Sequence, residues 1–98
     1  LVIMDNLGQT YYLLKEYEKA ADLYELLLAK DPSFPEPYYN YGRVLLARGE
    51  REQARIYLQK ALERPLHSLN TVSKEQIEAL LQELEADEVQ AENESKSD

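Results

Sequence analysis

Residues 6–12 read NLGQTYY and residues 40–46 read NYGRVLL; the same shift of 34 lays EKAADLYELLL, residues 18–28, on EQARIYLQKAL, residues 52–62. In that register Asn6 falls on Asn40, Gly8 on Gly42, Glu18 on Glu52, Ala20 on Ala54 and Leu28 on Leu62. Apolar bulk is kept where identity is lost: Leu7 meets Tyr41, Tyr11 meets Leu45, and Tyr24 meets Leu58. A chain that repeats a two-helix unit stacks its copies side by side, and each copy buries an apolar face it could not hide alone. Such a stack offers a surface to another protein.

Within each unit the apolar positions keep helical spacing. Tyr17, Ala20, Ala21, Tyr24, Leu27 and Leu28 share one side of residues 17–30, with Glu18, Lys19, Asp22 and Glu25 opposite. Ala54, Tyr57, Leu58, Ala61 and Leu62 repeat this over 51–63. Gly8 and Gly42 stand inside such segments, where glycine costs about 1 kcal/mol relative to alanine. The register puts Ala20 and Ala54 opposite them, so close helix approach is expected to offset that cost. Asp31-Pro32-Ser33 and Pro35-Glu36-Pro37 end one helix and begin another, because proline suits a first helical turn and not an interior. Lys15-Glu16 and Gly49-Glu50 are short turns within each hairpin. Helices are expected at about 2–14, 17–30, 36–47 and 51–63.

The repeat resembles the tetratricopeptide repeat family, whose pattern is W-x2-L-G-x2-Y, then A-x3-F, then P. The first unit has Met4 for the tryptophan, then Leu7-Gly8, Tyr11, Ala20, Tyr24 for the phenylalanine, and Asp31-Pro32. The second has Tyr38, Tyr41-Gly42, Leu45, Ala54, Leu58 and Gly49 in the turn, and ends in Pro65, one residue early. The resemblance covers residues 1–64. It implies an all-α, right-handed solenoid of two antiparallel helix-turn-helix repeats, 1–34 and 35–68.

Beyond Arg64 the pattern changes. Residues 65–70 form a connector, and Ser73 with Gln76 makes a capping-box signature. Ile77, Leu80, Leu81 and Leu84 then form one apolar stripe. The expectation is a capping helix over 69–87 that covers the last repeat; a third repeat cut short is the alternative. Residues 88–98 are expected to be a disordered acidic tail. Residues 83–98 carry −6 of the total charge of −8, leaving a nearly neutral body. The tail reads as a solubilising terminus in preference to a dock for a basic partner. At the other end, Leu1-Val2-Ile3-Met4 places four apolar residues on a first helical turn. A piece of a longer repeat protein is favoured over contact with a second copy or simple tucking beneath the next helix.

Composition narrows the function. With 98 residues and no cysteine there is one small domain, no disulfide framework and no thiolate metal site. No membrane span is read in this chain, and no secretory signal. The compartment stays open, with cytoplasmic favoured slightly over periplasmic or membrane-tethered through an upstream segment. His67 is the only histidine and sits in the connector, so it reads as a loop residue. Neither a catalytic constellation, a phosphate-cradling loop nor a basic groove for nucleic acid is present; no enzyme activity, cofactor, metal or nucleic-acid partner is expected.

What remains is a binding surface. In the family this chain resembles, the first helix of each repeat lines a concave face that holds partner segments. Carried over by position, that stripe is Val2, Asp5, Gln9, Tyr12 and Leu13, then Glu36, Tyr39, Arg43, Leu46 and Ala47. Asn6 and Asn40 lie beside it at equivalent places. The peptide-binding set expected from this is Asp5, Asn6, Gln9, Tyr12, Tyr39, Asn40, Arg43 and Leu46. Tyr12, Tyr39 and Arg43 belong to the residue types that anchor interfaces; the alternative for both tyrosines is that they only cover the helix pair. The carboxylate clamp of one subclass is not expected, since Asp5 and Gln9 stand at its first lysine and asparagine positions and only Asn40 matches. The leading expectation is an adaptor or scaffold domain that binds a peptide or helix of a partner protein. The second is a self-association or docking segment working through the apolar first helix, with a homo-oligomer as its product.

Overall fold

The computed structural model describes residues 2–64 and 72–96, with side chains over 3–64 and 72–86. Its helices are α1 (Val2–Leu13), α2 (Tyr17–Leu28), α3 (Glu36–Ala47), α4 (Arg51–Glu63) and α5 (Lys74–Lys96). The described residues contain no strand. Helix α1 packs on α2 and α3 on α4; α2 joins the two hairpins through α3, and α5 closes against α4. The fold is an all-α helical-repeat solenoid. Connector residues 65–70, including His67, lie outside the described residues.

The two hairpins turn in the same way. Lys15 and Gly49, equivalent in the repeat, both take the left-handed conformation, at φ 63° and 81°. Glu16 N–H then donates to Tyr11 O and Glu50 N–H to Leu45 O, both at 2.9 Å, the long-range bond of a Schellman-type end. Only glycine adopts that conformation without a steric penalty, and Lys15 does so because the repeat's geometry requires it. Helix α2 stops two residues short of the expected residue 30, with Asp31 at φ 50° before Pro32.

Burial follows the apolar register. Ala20, Ala21, Tyr24 and Leu27 of α2, Tyr38, Tyr41, Val44 and Leu45 of α3, and Ala54, Leu58 and Ala61 of α4 form the core. Helix α5 adds Ile77 and Leu84, with Leu80 and Leu81 half-buried beside them. The expected glycine contact needs a correction. A Cβ at position 8 would come within 2.5 Å of Tyr24 Cζ, and one at position 42 within 2.9 Å of the Leu58 side chain. The glycines thus make room for the large residues four places after the alanines. Ala54 is farther off, its backbone oxygen 3.5 Å from such a Cβ.

Polar bonds join the repeats. Arg64, just past α4, donates to Asp31 Oδ1 at 2.9 Å and to the Tyr38 hydroxyl at 2.7 Å, and its guanidinium lies 4.6 Å from the Tyr38 ring centroid. Tyr41 donates to Glu25 Oε1 at 3.1 Å, and its ring meets Tyr57 edge-on at 4.7 Å between centroids. Burial raises the hydroxyl pKa of both tyrosines, with Glu25 adding to the shift at Tyr41 and Arg64 opposing it at Tyr38. Both remain protonated donors well beyond neutral pH.

The capping box is reciprocal: Ser73 N–H donates to Gln76 Oε1 at 2.8 Å, and Gln76 N–H to Ser73 Oγ at 3.2 Å. Helix α5 then runs on to Lys96, so the backbone of residues 88–96 is helical where a disordered tail is expected. Six of its nine residues are Glu, Ala, Gln or Lys, and it has neither glycine nor proline. Those residues favour helix, and helical hydrogen bonds need no apolar partner once a nucleus exists upstream.

Candidate functional site

Helices α1 and α3 run side by side, and the start of α5 approaches the same side of α3. Between them lies a cleft of about 320 Å³, lined by Gln9, Glu36, Tyr39, Asn40 and Arg43, with Val72 and Gln76 at its α5 edge. Gln9, Tyr39, Asn40 and Arg43, all in the expected set, are thus brought together around one cleft.

Arg43 organises one end. Its guanidinium carbon stands 4.4 Å from the centroid of Tyr12 and 5.8 Å from that of Tyr39. The cation is attracted by the ring faces, an interaction worth about 0.5–1 kcal/mol at an exposed site and more when desolvated. Tyr12 in turn packs on Tyr17 of α2, centroid to centroid 5.7 Å. It therefore both covers the α1–α2 pair and supports Arg43. The two rings hold the guanidinium at this end of the cleft, and its five N–H groups can donate to an oxygen acceptor.

The floor is built around Asp5, and here the expectation changes. Asp5 is 4 % exposed and sits beneath the groove instead of lining it. Tyr24 donates its hydroxyl to Asp5, 3.1 Å from both the backbone oxygen and Oδ1. Asn40 Nδ2 donates to the same Oδ1 at 3.1 Å, and Gln9 Nε2 to Oδ2 at 3.2 Å. One carboxylate thus ties α1, α2 and α3 together. The Tyr24 hydroxyl is pushed far above its ordinary pKa, first by burial and then by the Asp5 charge and hydrogen bond. It stays a donor.

The remaining expected residues disperse. Asn40 is buried because it bonds Asp5, whereas its repeat equivalent Asn6 is exposed. Leu46 belongs to a separate cleft of about 280 Å³ between α3 and α5, with Gly49, Arg51, Leu80, Glu83 and Leu84. Leu13 and Ala47 are exposed and line neither cleft, and the Val2 side chain lies outside the described residues. Two walls escape the sequence reading. Val72 and Gln76 come from the capping segment, and their position depends on a connector that departs from the repeat. Glu36 is on the expected stripe but is only 7 % exposed, held down within the first turn of α3 between buried prolines 35 and 37.

Among the described residues no group of three or more His, Cys, Asp or Glu side chains could hold a metal ion. No helix there is long and apolar enough to cross a membrane. The family model described as tetratricopeptide repeat matches residues 11–66, more than half of the 98-residue chain. No curated protein matches the sequence.

Proposed function

This chain belongs to the tetratricopeptide repeat family, and from that premise we propose that it is an adaptor domain holding a partner's peptide or helix in the groove between α1, α3 and the start of α5. Repeats of this family generally mediate protein–protein interaction. The observation that carries the finer reading is the placement of Arg43 between Tyr12 and Tyr39 on the wall of the Gln9–Arg43 cleft. Those three side chains offer stacking surface and an oriented cation in one place. A segment lying across both first helices would pack on the tyrosines and give a carboxylate or carbonyl oxygen to Arg43.

A capture experiment tests this. The Tyr39→Ala, Arg43→Ala double variant is expected to retain its native partner at least roughly tenfold less well than wild type, since truncating an anchor costs about 2 kcal/mol. Circular dichroism should show unchanged helicity. Full retention of the partner by the double variant would overturn the reading.

A second reading rests on α1. Ile3 is 83 % exposed, and Leu7 and Leu14 are exposed along the same side. The repeat equivalents of Ile3 and Leu7 are Pro37 and Tyr41, both buried. A face that the second repeat buries is therefore open on the first, which favours self-association or docking through α1. Sedimentation over a range of concentrations separates the two readings: a concentration-independent monomer supports the adaptor.

A further inference from the structure

We infer that the floor of the groove is a cation subsite, so that the partner segment enters with a lysine or arginine side chain. The inference rests on the groove reading and adds the ligand's chemistry. Asp5 accepts hydrogen bonds and donates none, so any amide bonded to it must turn its NH2 toward it. Asn40 and Gln9 both do so, through Nδ2 and Nε2. In each amide the oxygen then faces away from Asp5, and both residues line the groove. Two acceptors are thereby oriented by one buried carboxylate.

Glu36 supplies the charge. It lines the same groove, is 7 % exposed, and its Oε1 is buried without a hydrogen-bond partner. A buried carboxylate oxygen left unpaired is costly, and a charge-assisted bond from an arriving ammonium or guanidinium would relieve that cost. An ammonium carries three donors and a guanidinium five, and both suit a carboxylate flanked by amide oxygens. Donors also border the cleft: Arg43 is held on its tyrosines, and Gln76, whose Oε1 is taken by Ser73 N–H, turns its NH2 elsewhere at the α5 edge. The groove therefore has an acceptor floor and donor edges. A basic side chain fits the floor, and an acidic side chain or carbonyl beside it fits Arg43.

Phage-displayed random peptides selected on the 98-residue chain test this. Retained peptides are expected to carry Lys or Arg at a fixed position. A synthetic copy of one should bind wild type roughly tenfold or more tighter than the Glu36→Gln variant, the range of a hydrogen bond to a charged group. Replacing its basic residue by norleucine should cost the same on wild type and nothing further on Glu36→Gln. The norleucine arm leaves the protein unaltered, so it decides the matter even where the variant folds poorly. Peptides that lose binding to Tyr39→Ala, Arg43→Ala yet show no basic preference overturn the cation subsite and leave the groove standing. Binding indifferent to Tyr39 and Arg43, or no retained peptide, overturns both.

Discussion

Replacing Gly8 by leucine is expected to lower the melting temperature by about 12 °C or more, the equivalent of about 3 kcal/mol in a domain near 100 residues. The cause is steric. Even a Cβ at position 8 would stand 2.5–2.8 Å from the Cζ, Cε2 and hydroxyl oxygen of Tyr24. Tyr24 is fully buried, so its ring cannot move aside without disturbing its core neighbours. Overpacking of this kind costs about 1–3 kcal/mol. Moving the ring also pulls its hydroxyl from Asp5, and a buried polar group left unmade costs about 1–3 kcal/mol more. The intrinsic gain from removing a helical glycine, about 1 kcal/mol, offsets only part. A double-mutant cycle isolates the contact: in a Tyr24→Ala background, Gly8→Ala should become neutral or stabilising. Thermal unfolding followed by circular dichroism measures both, and an unchanged melting temperature for Gly8→Leu rejects the α1–α2 contact.

Removing Asp5 should be comparably damaging. The Asp5→Ala change strands the buried Asn40 Nδ2, cuts the Tyr24 hydroxyl back to the backbone oxygen of residue 5, and frees Gln9 Nε2 at the edge. A buried donor left without a partner costs about 1–3 kcal/mol, and the lost bond from Tyr24 to the carboxylate adds to it. The loss is read by urea denaturation, as a lowered midpoint with a similar slope. A residue that only touched a ligand would leave the midpoint within about 0.5 kcal/mol of wild type. Asp5→Asn should fall between, because one oxygen remains to accept from Tyr24 and Asn40 while its new NH2 faces that of Gln9. A wild-type midpoint for Asp5→Ala would show that the network contributes nothing.

Why the helices could be read from the sequence, and the network could not, comes down to what a repeat conserves. The 34-residue register preserves Gly8, Ala20 and Leu28 at Gly42, Ala54 and Leu62, and it places the helix bounds to within two residues through the fourth helix. Capping residues Ser73 and Gln76 bond locally, so three positions of sequence suffice to foresee them. Asp5 aligns with Tyr39 and Tyr24 with Leu58. Neither polar group recurs, so the register carries no sign of their bond, and Asp5 passes for a groove residue. A usable signal was present in the pair itself. Both departures fall in the same repeat, and one places a hydroxyl at a core position where its equivalent is leucine. Such a hydroxyl needs a buried partner. Leu46 lies outside the Gln9–Arg43 cleft for another reason. Its neighbour across the cleft is α5, whose approach depends on a connector that the repeat does not specify. Beyond residue 87 the acidic composition points to a solvated tail, whereas local helix propensity continues the helix to Lys96.

The groove is tested most directly by mapping a bound segment on the protein itself. Backbone amide shifts of the 98-residue chain, recorded with and without a peptide retained from selection, report every helix at once. The expected changes gather at Gln9, Tyr12, Tyr39, Arg43 and Gln76, with Lys19 and Gln59 on the second helices unmoved. Changes confined to the outer sides of α2 and α4, or to Ile3 and Leu7 with the cleft silent, would contradict the assignment of the groove as the binding site.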